Sequence, residues 1–247
     1  MARAAVLGRL IWQLGEVAEL IDETPRVKTL VLEIPDWPGH RSGQHVDVRL
    51  TAEDGYQAER AYSIASAQGE PVALTVEALP DGEVSPYLTE VLRDGDQIEV
   101  RGPIGGYFVL DPADDAPLLL VAGGSGIVPF RAMLRHRRRT GAEVPVRLIY
   151  SSRTLEDVIY RAELDEPVAG VEVVHTLTRA QPPGWSGRAG RVDEALLGEV
   201  AWPAAREPLA FVCGPTAFVE VVAQTLVELG YPPARVKTER FGPTGGG

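Results

Sequence analysis

The sequence predicts two domains of different fold class, an antiparallel β-barrel followed by a doubly wound α/β domain with a parallel sheet. The first observation is a series of short β-rich runs, separated by Gly, Pro and Asp, between Trp12 and Gly102. Strands at such spacing are typical of a small antiparallel barrel. The second observation is a change after Pro117, where continuous apolar runs alternate with helical patterns. This alternation predicts a parallel sheet that is covered on both faces.

Five strands and one short helix are predicted in the first half. The strands are Val27–Ile34, Gln44–Leu50, Ala61–Ala65, Val72–Leu79 and Gln97–Arg101. The helix is predicted over Pro86–Leu92, with Ser85 as its candidate N-cap. Asp111 to Pro117 is rich in Asp, Ala and Pro and indicates a linker. The two domains are therefore assigned to residues 1–112 and 113–247.

The second half contains the elements of a doubly wound unit. Its core strands are predicted at Leu118–Ala122, Val146–Tyr150, Val171–Leu177 and Leu209–Cys213, and its last strand at Lys237–Phe241. Helical patterns follow the first and fourth of these strands, over Ile127–Arg139 and Thr216–Leu229. A strand that is followed by a helix and then by another strand favours parallel pairing.

The composition excludes several classes of partner and of metal site. The 247 residues have a formal net charge of −11, which disfavours nucleic acid and anionic membrane surfaces because both attract a positive field. A single cysteine, Cys213, excludes an intrachain disulfide and any site with several cysteine ligands from this chain. The four histidines are scattered without metal-ligand spacing. No bound metal is therefore predicted.

No targeting or membrane segment is apparent. Met1 to Gln13 lacks the apolar core of a signal peptide. The longest apolar stretch, Leu118 to Phe130, is interrupted by three glycines and is too short to span a bilayer. A soluble, cytoplasmic protein is expected.

The segment Arg60-Ala61-Tyr62-Ser63 has the chemistry that a flavin adenine dinucleotide requires. Such a cofactor needs a cation for its pyrophosphate, an aromatic or apolar cover for its ring and a hydrogen-bond partner near N5, and Arg60, Tyr62 and Ser63 can supply these in turn. Alternation along a strand places Arg60 and Tyr62 on one face, and Ala61 and Ser63 on the other. Taken alone, the segment also fits an ordinary strand with one surface arginine.

A second candidate phosphate site is Gly82-Glu83-Val84-Ser85, directly before the predicted helix. Free backbone N–H groups and the helix dipole attract phosphate at such a position. The alternative is a plain turn followed by a capped helix. Farther along, Gly102-Pro103-Ile104-Gly105-Gly106 closes the barrel with enough glycine for the backbone to approach a flat ligand.

The strand Leu118–Ala122 leads into Gly123-Gly124-Ser125-Gly126, and Pro129 lies just inside the next helix. A glycine-rich turn before a helix N-terminus can hold the pyrophosphate of a dinucleotide. Pro129 replaces the third glycine of the usual fingerprint, and a tight strand-to-helix turn without a ligand is the alternative.

The end of the next strand, Ser151-Ser152-Arg153, bears on the choice of nicotinamide nucleotide. A fold selective for NAD tends to place an acid there for the ribose hydroxyls. Hydroxyls and an arginine suit a 2′-phosphate instead, which favours NADPH. Glu156 and Asp157 follow closely and could serve NADH. Arg179 is either a second phosphate ligand or a solvated loop arginine.

Five motif blocks together resemble the ferredoxin–NADP reductase superfamily. They match its Arg-x-Tyr-Ser/Thr, Gly-x-x-Ser-x-x-Leu, Gly-Pro-x-Gly, Gly-Gly-x-Gly-x-x-Pro and Cys-Gly-Pro motifs, in that order, between Trp12 and Phe241. The resemblance implies a flavin-binding barrel and a nicotinamide-binding α/β domain. It further implies that Arg60 binds the FAD pyrophosphate, Tyr62 packs on the isoalloxazine and Ser63 faces N5. The segment with Gly82, Val84 and Ser85 would then contact the flavin phosphates.

The resemblance also gives a role to Cys213-Gly214-Pro215 at the end of the last core strand. On composition alone, Cys213 is a buried small apolar side chain. In the superfamily this turn lies beside the nicotinamide C4, where Cys213 would position the ring, since hydride transfer needs no nucleophile. The segment that ends at Phe241 approaches the flavin in many relatives.

The expected function is hydride transfer from NAD(P)H, with NADPH preferred, to FAD, followed by electron transfer to a separate acceptor such as a ferredoxin or an oxygenase component. The alternatives are a reductase of free flavin or ferric chelates, and a flavin-binding subunit of a larger complex. The basic run Arg135–Arg139 is either a solvated helix end or a docking patch for an acidic electron carrier.

Overall fold

Two six-stranded sheets form the protein, one antiparallel and one parallel. The computed structural model describes residues 10–111 and 115–242. The predicted domain boundary at residues 112 and 113 lies outside these ranges and stays a prediction. Within them, no helix combines the length and the apolar character needed to cross a bilayer.

The first sheet is the predicted barrel. Its strands are β1 (Trp12–Thr24), β2 (Val27–Glu33), β3 (His45–Thr51), β4 (Gln57–Ser63), β5 (Val72–Glu77) and β6 (Gln97–Ile104). They are ordered β4-β3-β6-β1-β2-β5, and all neighbours are antiparallel. Alternate residues such as Leu30, Leu74 and Val100 are fully buried inside.

Two features of the barrel differ from the sequence prediction. The longest strand, β1, was not predicted as a strand, because its charged residues and two register shifts against β2 disturb the alternation of polar and apolar side chains. The predicted helix is reduced to one π-helical turn, Tyr87–Val91. Ser85 does not cap it, since the Ser85 hydroxyl accepts a hydrogen bond from the Leu79 backbone N–H at 3.1 Å.

The second sheet has the predicted doubly wound topology. Its strands are β7 (Leu118–Gly123), β8 (Val146–Ser152), β9 (Val171–Leu177), β10 (Arg188–Ala189), β11 (Leu209–Pro215) and β12 (Val236–Phe241). The helices of this half are α1 (Val128–Thr140), α2 (Arg161–Asp165), α3 (Glu194–Val200) and α4 (Thr216–Glu228). The order β10-β9-β8-β7-β11-β12 reverses direction at β7. Ligands of such sheets bind outside the carboxyl ends of the strands, at the reversal.

Both faces of β7 are buried, and one of them is shared with the barrel. Leu119 and Val121 pack in the cluster that contains α3 and α4. Leu120, on the other face, packs in a cluster with α1 and with Val27 and Phe108, two residues from the barrel half of the chain. The two domains are therefore joined through a common apolar core.

Phe108 is a sensitive point of this shared core. Its ring centroid lies 5.2 Å from that of Phe211 and 5.9 Å from that of Phe130. We expect Phe108→Ala to lower the free energy of unfolding by about 3–5 kcal/mol, because it leaves a cavity between the domains. Urea denaturation provides the measurement. Tyr107→Ala is the matched control, since the neighbouring side chain is 62% exposed, and an equal loss for both variants would contradict the shared-core assignment.

Candidate active site

A cleft of about 520 Å³ lies where the carboxyl ends of the parallel strands meet the barrel. The α/β domain contributes Gly123–Ser125, Ser151–Arg153, Pro215 and Phe241 to its walls. The barrel contributes residues of the β1–β2 turn and of the end of β5, among them Arg26 and Glu77. The structure thus brings the predicted nicotinamide-side segments together in one place, at the edge that the topology favours for ligands.

The glycine-rich turn can adopt its path only with glycine at two positions. Gly124 has a φ of 55°, in the left-handed region that glycine adopts without strain. A Cβ on Gly126 would lie 2.1 Å from the Cys213 carbonyl oxygen, so that only glycine lets the turn approach β11 so closely. Pro129 is the second residue of α1, as predicted. The turn therefore has the shape of a backbone cradle for a phosphate group.

Cys213 lies beneath this turn rather than in the cleft. Its side chain is 2% exposed and belongs to the shared core, and burial raises the pKa of the thiol well above its ordinary value. Gly214 packs on Phe218, where a Cβ would lie 2.7 Å from a ring carbon, and Pro215 reaches the cleft wall. A buried, neutral thiol is suited to positioning and not to nucleophilic attack.

The ends of β8 and β9 bring two arginines together. The Arg179 backbone N–H donates to the Arg153 carbonyl at 2.9 Å, and both side chains are exposed without an ion-pair partner among the described residues. Ser151 and Ser152 are both buried, and Ser152 lies on the same face of β8 as Tyr150, which points into the shared core.

Of the two nearby acids, Asp157 lies in the cleft wall and is engaged within the chain. Asp157 accepts hydrogen bonds from the Thr154 backbone N–H at 3.1 Å and from the Thr154 hydroxyl at 2.8 Å, in a capping box. Glu156 is exposed. Because the Asp157 carboxylate accepts these capping hydrogen bonds, it is less free to bind ribose hydroxyls.

The flavin motif lies on β4. Its register against β3 is unbroken, so Arg60 and Tyr62 share one face of the strand, as predicted. Tyr62 is partly buried against the barrel core, and burial raises the pKa of its hydroxyl to about 12. Ser63 ends the strand, opposite His45 in the register. The side chains of this motif lie outside the walls of the 520 Å³ cleft.

Arg60 is already paired within the chain. It donates to the Glu83 carboxylate at 2.8 Å and to the Glu59 carbonyl at 2.7 Å. The Tyr56 hydroxyl donates to the other Glu83 oxygen at 2.8 Å. The sequence analysis did not assign a role to Glu83, although it lies inside the predicted phosphate segment.

That segment forms a compact turn. The Gly82 N–H donates to the Leu79 carbonyl at 2.9 Å, and a Cβ on Gly82 would lie 2.8 Å from the Ser85 hydroxyl oxygen. Val84 and Ser85 are buried, and Val84 packs in the barrel core. The exposed member of the segment is Glu83, so its charge dominates the surface of this turn.

A carboxyl group that the sequence analysis missed lies between the two domains. Glu239 pairs with Cys213 in the register of β11 and β12, and one of its oxygens is 4.0 Å from Nδ1 of His45 in the barrel. The other oxygen is buried and has no hydrogen-bond partner among the described residues. Burial raises the pKa of Glu239 to about 7 and lowers the pKa of His45. Nothing in the run Lys237–Phe241 distinguishes this acid from a surface residue.

Glu239→Gln should change how stability depends on pH. A carboxyl whose pKa is raised from 4.5 to about 7 on folding destabilises the native state as pH rises through that interval, because the unfolded chain ionises first. We expect the Gln variant to equal the parent near pH 3.5 and to exceed it by about 3 kcal/mol above pH 8. Urea denaturation at both pH values measures the difference. Glu90→Gln, at an exposed position, is the control, and a gain independent of pH would exclude the ionisation of Glu239 as its cause.

Two family models match the chain. That of an oxidoreductase FAD-binding domain matches residues 16–108, and that of an oxidoreductase NAD-binding domain matches residues 120–224. The first domain is the barrel, and the second contains the glycine-rich turn and Cys213. The antiparallel sheet therefore matches the FAD-binding model, and the parallel sheet matches the NAD-binding model.

Similar proteins include reductases with protein partners. The chain is 33% identical to the glycine betaine monooxygenase reductase subunit of Chromohalobacter salexigens over 92% of its length, and it spans 63% of that relative. It is 36% identical to ferredoxin–NADP reductase B of Sorangium cellulosum, over 88% of this chain and 93% of the relative.

The crystal structure of a cytochrome P450 reductase of Amycolatopsis is also similar, with a TM-score of 0.82 and 26% identity over 97% of this chain and 74% of that structure. The motifs, the two sheets and these matches agree with one another. The chain belongs to the ferredoxin–NADP reductase superfamily, and its two halves match the models of FAD-binding and NAD-binding oxidoreductase domains.

Proposed function

We propose that the protein oxidises NADPH, transfers the hydride to FAD and delivers electrons to a separate acceptor, either an oxygenase component or a ferredoxin. The observation that supports this most directly is the cleft, in which the glycine-rich turn of one domain faces the edge of the other. The names of the similar proteins, a monooxygenase reductase subunit, a cytochrome P450 reductase and a ferredoxin–NADP reductase, support the acceptor class.

The protein's own residues contribute binding and alignment in this proposal. FAD supplies the conversion of a two-electron hydride into electrons that leave singly. Arg60 neutralises its pyrophosphate, Tyr62 covers the ring and Ser63 donates a hydrogen bond near N5. The Cys213-Gly214-Pro215 turn positions the nicotinamide, and the buried surroundings exclude water from the reacting atoms.

The nucleotide preference follows from the charges at the ends of β8 and β9. Ser151, Arg153 and Arg179 are proposed to hold the 2′-phosphate of NADPH, because both guanidinium groups are unpaired among the described residues. Asp157, one of the two acids that could favour NADH, is engaged by Thr154, and the other, Glu156, is exposed.

The basic run Arg135–Arg139 does not support the docking hypothesis. Arg137 is 8% exposed and donates to the Val144 carbonyl at 2.8 Å. Arg135 pairs with Glu163 and Glu70, and Arg139 also lies 3.7 Å from Glu70. Most of the positive charge is thus offset within the chain, and the acceptor surface is left unassigned.

Stopped-flow spectroscopy tests the reaction itself. The FAD-loaded protein is mixed with NADPH under anaerobic conditions, and loss of the oxidised-flavin absorbance is followed. Reduction of a ferredoxin, of free flavin and of a ferric chelate is then compared. Rapid bleaching followed by preferential ferredoxin reduction is expected. Absence of bleaching would contradict the proposal, and preference for the small acceptors would replace it with the small-acceptor reductase.

Arg153→Ala is predicted to raise the Michaelis constant for NADPH about tenfold and to leave that for NADH nearly unchanged, because it removes a charge-assisted contact to the 2′-phosphate. Steady-state kinetics with each nucleotide measure the effect. Arg161→Ala, an exposed arginine that is not part of the cleft wall, is the control. Equal losses with both nucleotides would assign Arg153 to a shared phosphate.

Substitutions of Glu83 and Arg60 are predicted to have opposite effects on the dissociation constant for FAD. Glu83→Gln should lower the dissociation constant for FAD, since it frees Arg60 and removes a negative charge beside the pyrophosphate. Arg60→Ala should raise that constant roughly tenfold. Quenching of FAD fluorescence by the apoprotein measures both. Weaker binding by the Glu83→Gln variant would show that Glu83 positions Arg60 instead of competing with the phosphates.

A further inference from the structure

One barrel arginine lies in the wall of the nucleotide cleft. Arg26 is in the turn between β1 and β2, and its guanidinium Nη2 is 3.3 Å from one oxygen of Glu77, at the end of β5. The other oxygen of the same carboxylate accepts a hydrogen bond from the Ser125 hydroxyl at 3.0 Å. A single carboxylate therefore joins the barrel arginine to the glycine-rich turn of the other domain.

The negative charge of Glu77 beside the glycine-rich turn would disfavour a phosphate there unless a cation offsets it. Glu77 places a carboxylate directly beside the turn that is shaped for a phosphate, and its side chain is only 22% exposed. A phosphate held by this turn would be repelled by the Glu77 carboxylate, and a positive charge beside both groups would offset that repulsion. The Arg26 side chain is 45% exposed and makes one long contact to Glu77, which leaves most of its five N–H donors available.

The cleft has a second cation on its other domain. Arg153 lies at the end of β8, and Arg26 is contributed by the barrel. NADPH has two separate anionic groups, the 2′-phosphate and the pyrophosphate. Because Arg26 is joined through Glu77 to Ser125 of the glycine-rich turn, it is placed for the anion that this turn would hold.

We infer that Arg26 is a nucleotide-binding residue that the barrel supplies across the domain interface, where it contacts the pyrophosphate of the nicotinamide nucleotide. The inference rests on the proposed function in that NADPH occupies this cleft. Glu77 orients the guanidinium toward the Ser125 side of the cleft. The nucleotide then contacts both domains through its phosphates, in addition to any contact through its nicotinamide ring.

Equilibrium binding of oxidised ligands to the FAD-loaded protein separates the two anion sites without turnover. Calorimetry with NADP⁺, NAD⁺, ADP-ribose and 2′-AMP gives four dissociation constants for each variant. We expect Arg26→Ala to raise the constants for the first three ligands about tenfold, because they contain the pyrophosphate, and to leave 2′-AMP unchanged. Arg153→Ala should weaken the binding of NADP⁺ and 2′-AMP only. Arg26→Lys should retain most of the affinity.

Arg161→Ala serves as the control for loss of a surface cation, and thermal unfolding of each variant serves as the control for folding. Unchanged affinities in the Arg26→Ala variant would overturn the inference and leave the proposed function intact. Equal weakening of all four ligands together with a lower melting temperature would also overturn it, since Arg26 would then be structural. Failure of the parent protein to bind any of the nucleotides would overturn the proposed function itself.

Discussion

The arrangement of this protein depends on the apolar core that the two sheets share. Phe108, at the end of the barrel half, packs edge to face on Phe211 in the middle of the parallel sheet. Leu120 and Phe130 complete the same cluster from β7 and α1. Interiors packed at this density do not deform continuously. The distance between β4 and the glycine-rich turn is therefore set by side chains that lie outside the cleft walls.

A second constraint operates at the level of single atoms. The glycine-rich turn lies against the carbonyl of Cys213, and even a methyl group on Gly126 would collide with it. Cys213 in turn pairs with Glu239 in the register of β11 and β12. Backbone geometry forms the phosphate cradle, whereas the charged side chains in the cleft wall, among them Arg26, Glu77 and Arg153, determine the local charge.

Most of the fold could be predicted from the sequence, because turn residues separate its strands clearly. Continuous apolar runs predicted β7 and β11, and β-rich runs bounded by Gly, Pro and Asp predicted β2 and β5. The strand β1 was missed because bulges interrupt its period, and the helix that begins near Pro86 was overestimated because one π-helical turn contains the same apolar residues as a longer helix.

The sequence predicts motif residues for the candidate site, but it does not indicate the partners that the structure gives them. Glu83, Glu77 and Glu239 are unremarkable acids in the sequence. Their importance comes from tertiary contacts, to Arg60, to Ser125 and to His45 respectively. Local patterns suggest candidate ligand-binding residues, whereas the ion pairs of those residues depend on segments that are distant along the chain.

The strand order also has a consequence for the sequence of events during synthesis. The central barrel strand β1 pairs with β6, so the barrel can close once the chain has emerged as far as Ile104. The central strand β7 of the parallel sheet must wait for β11, about ninety residues later. Domains generally fold as units in the order in which they are made. Leu120 and Phe130 can cover Phe108 as soon as β7 and α1 are made, whereas its edge-to-face contact with Phe211 forms only after β11, so the contact between the two sheets is completed late in synthesis.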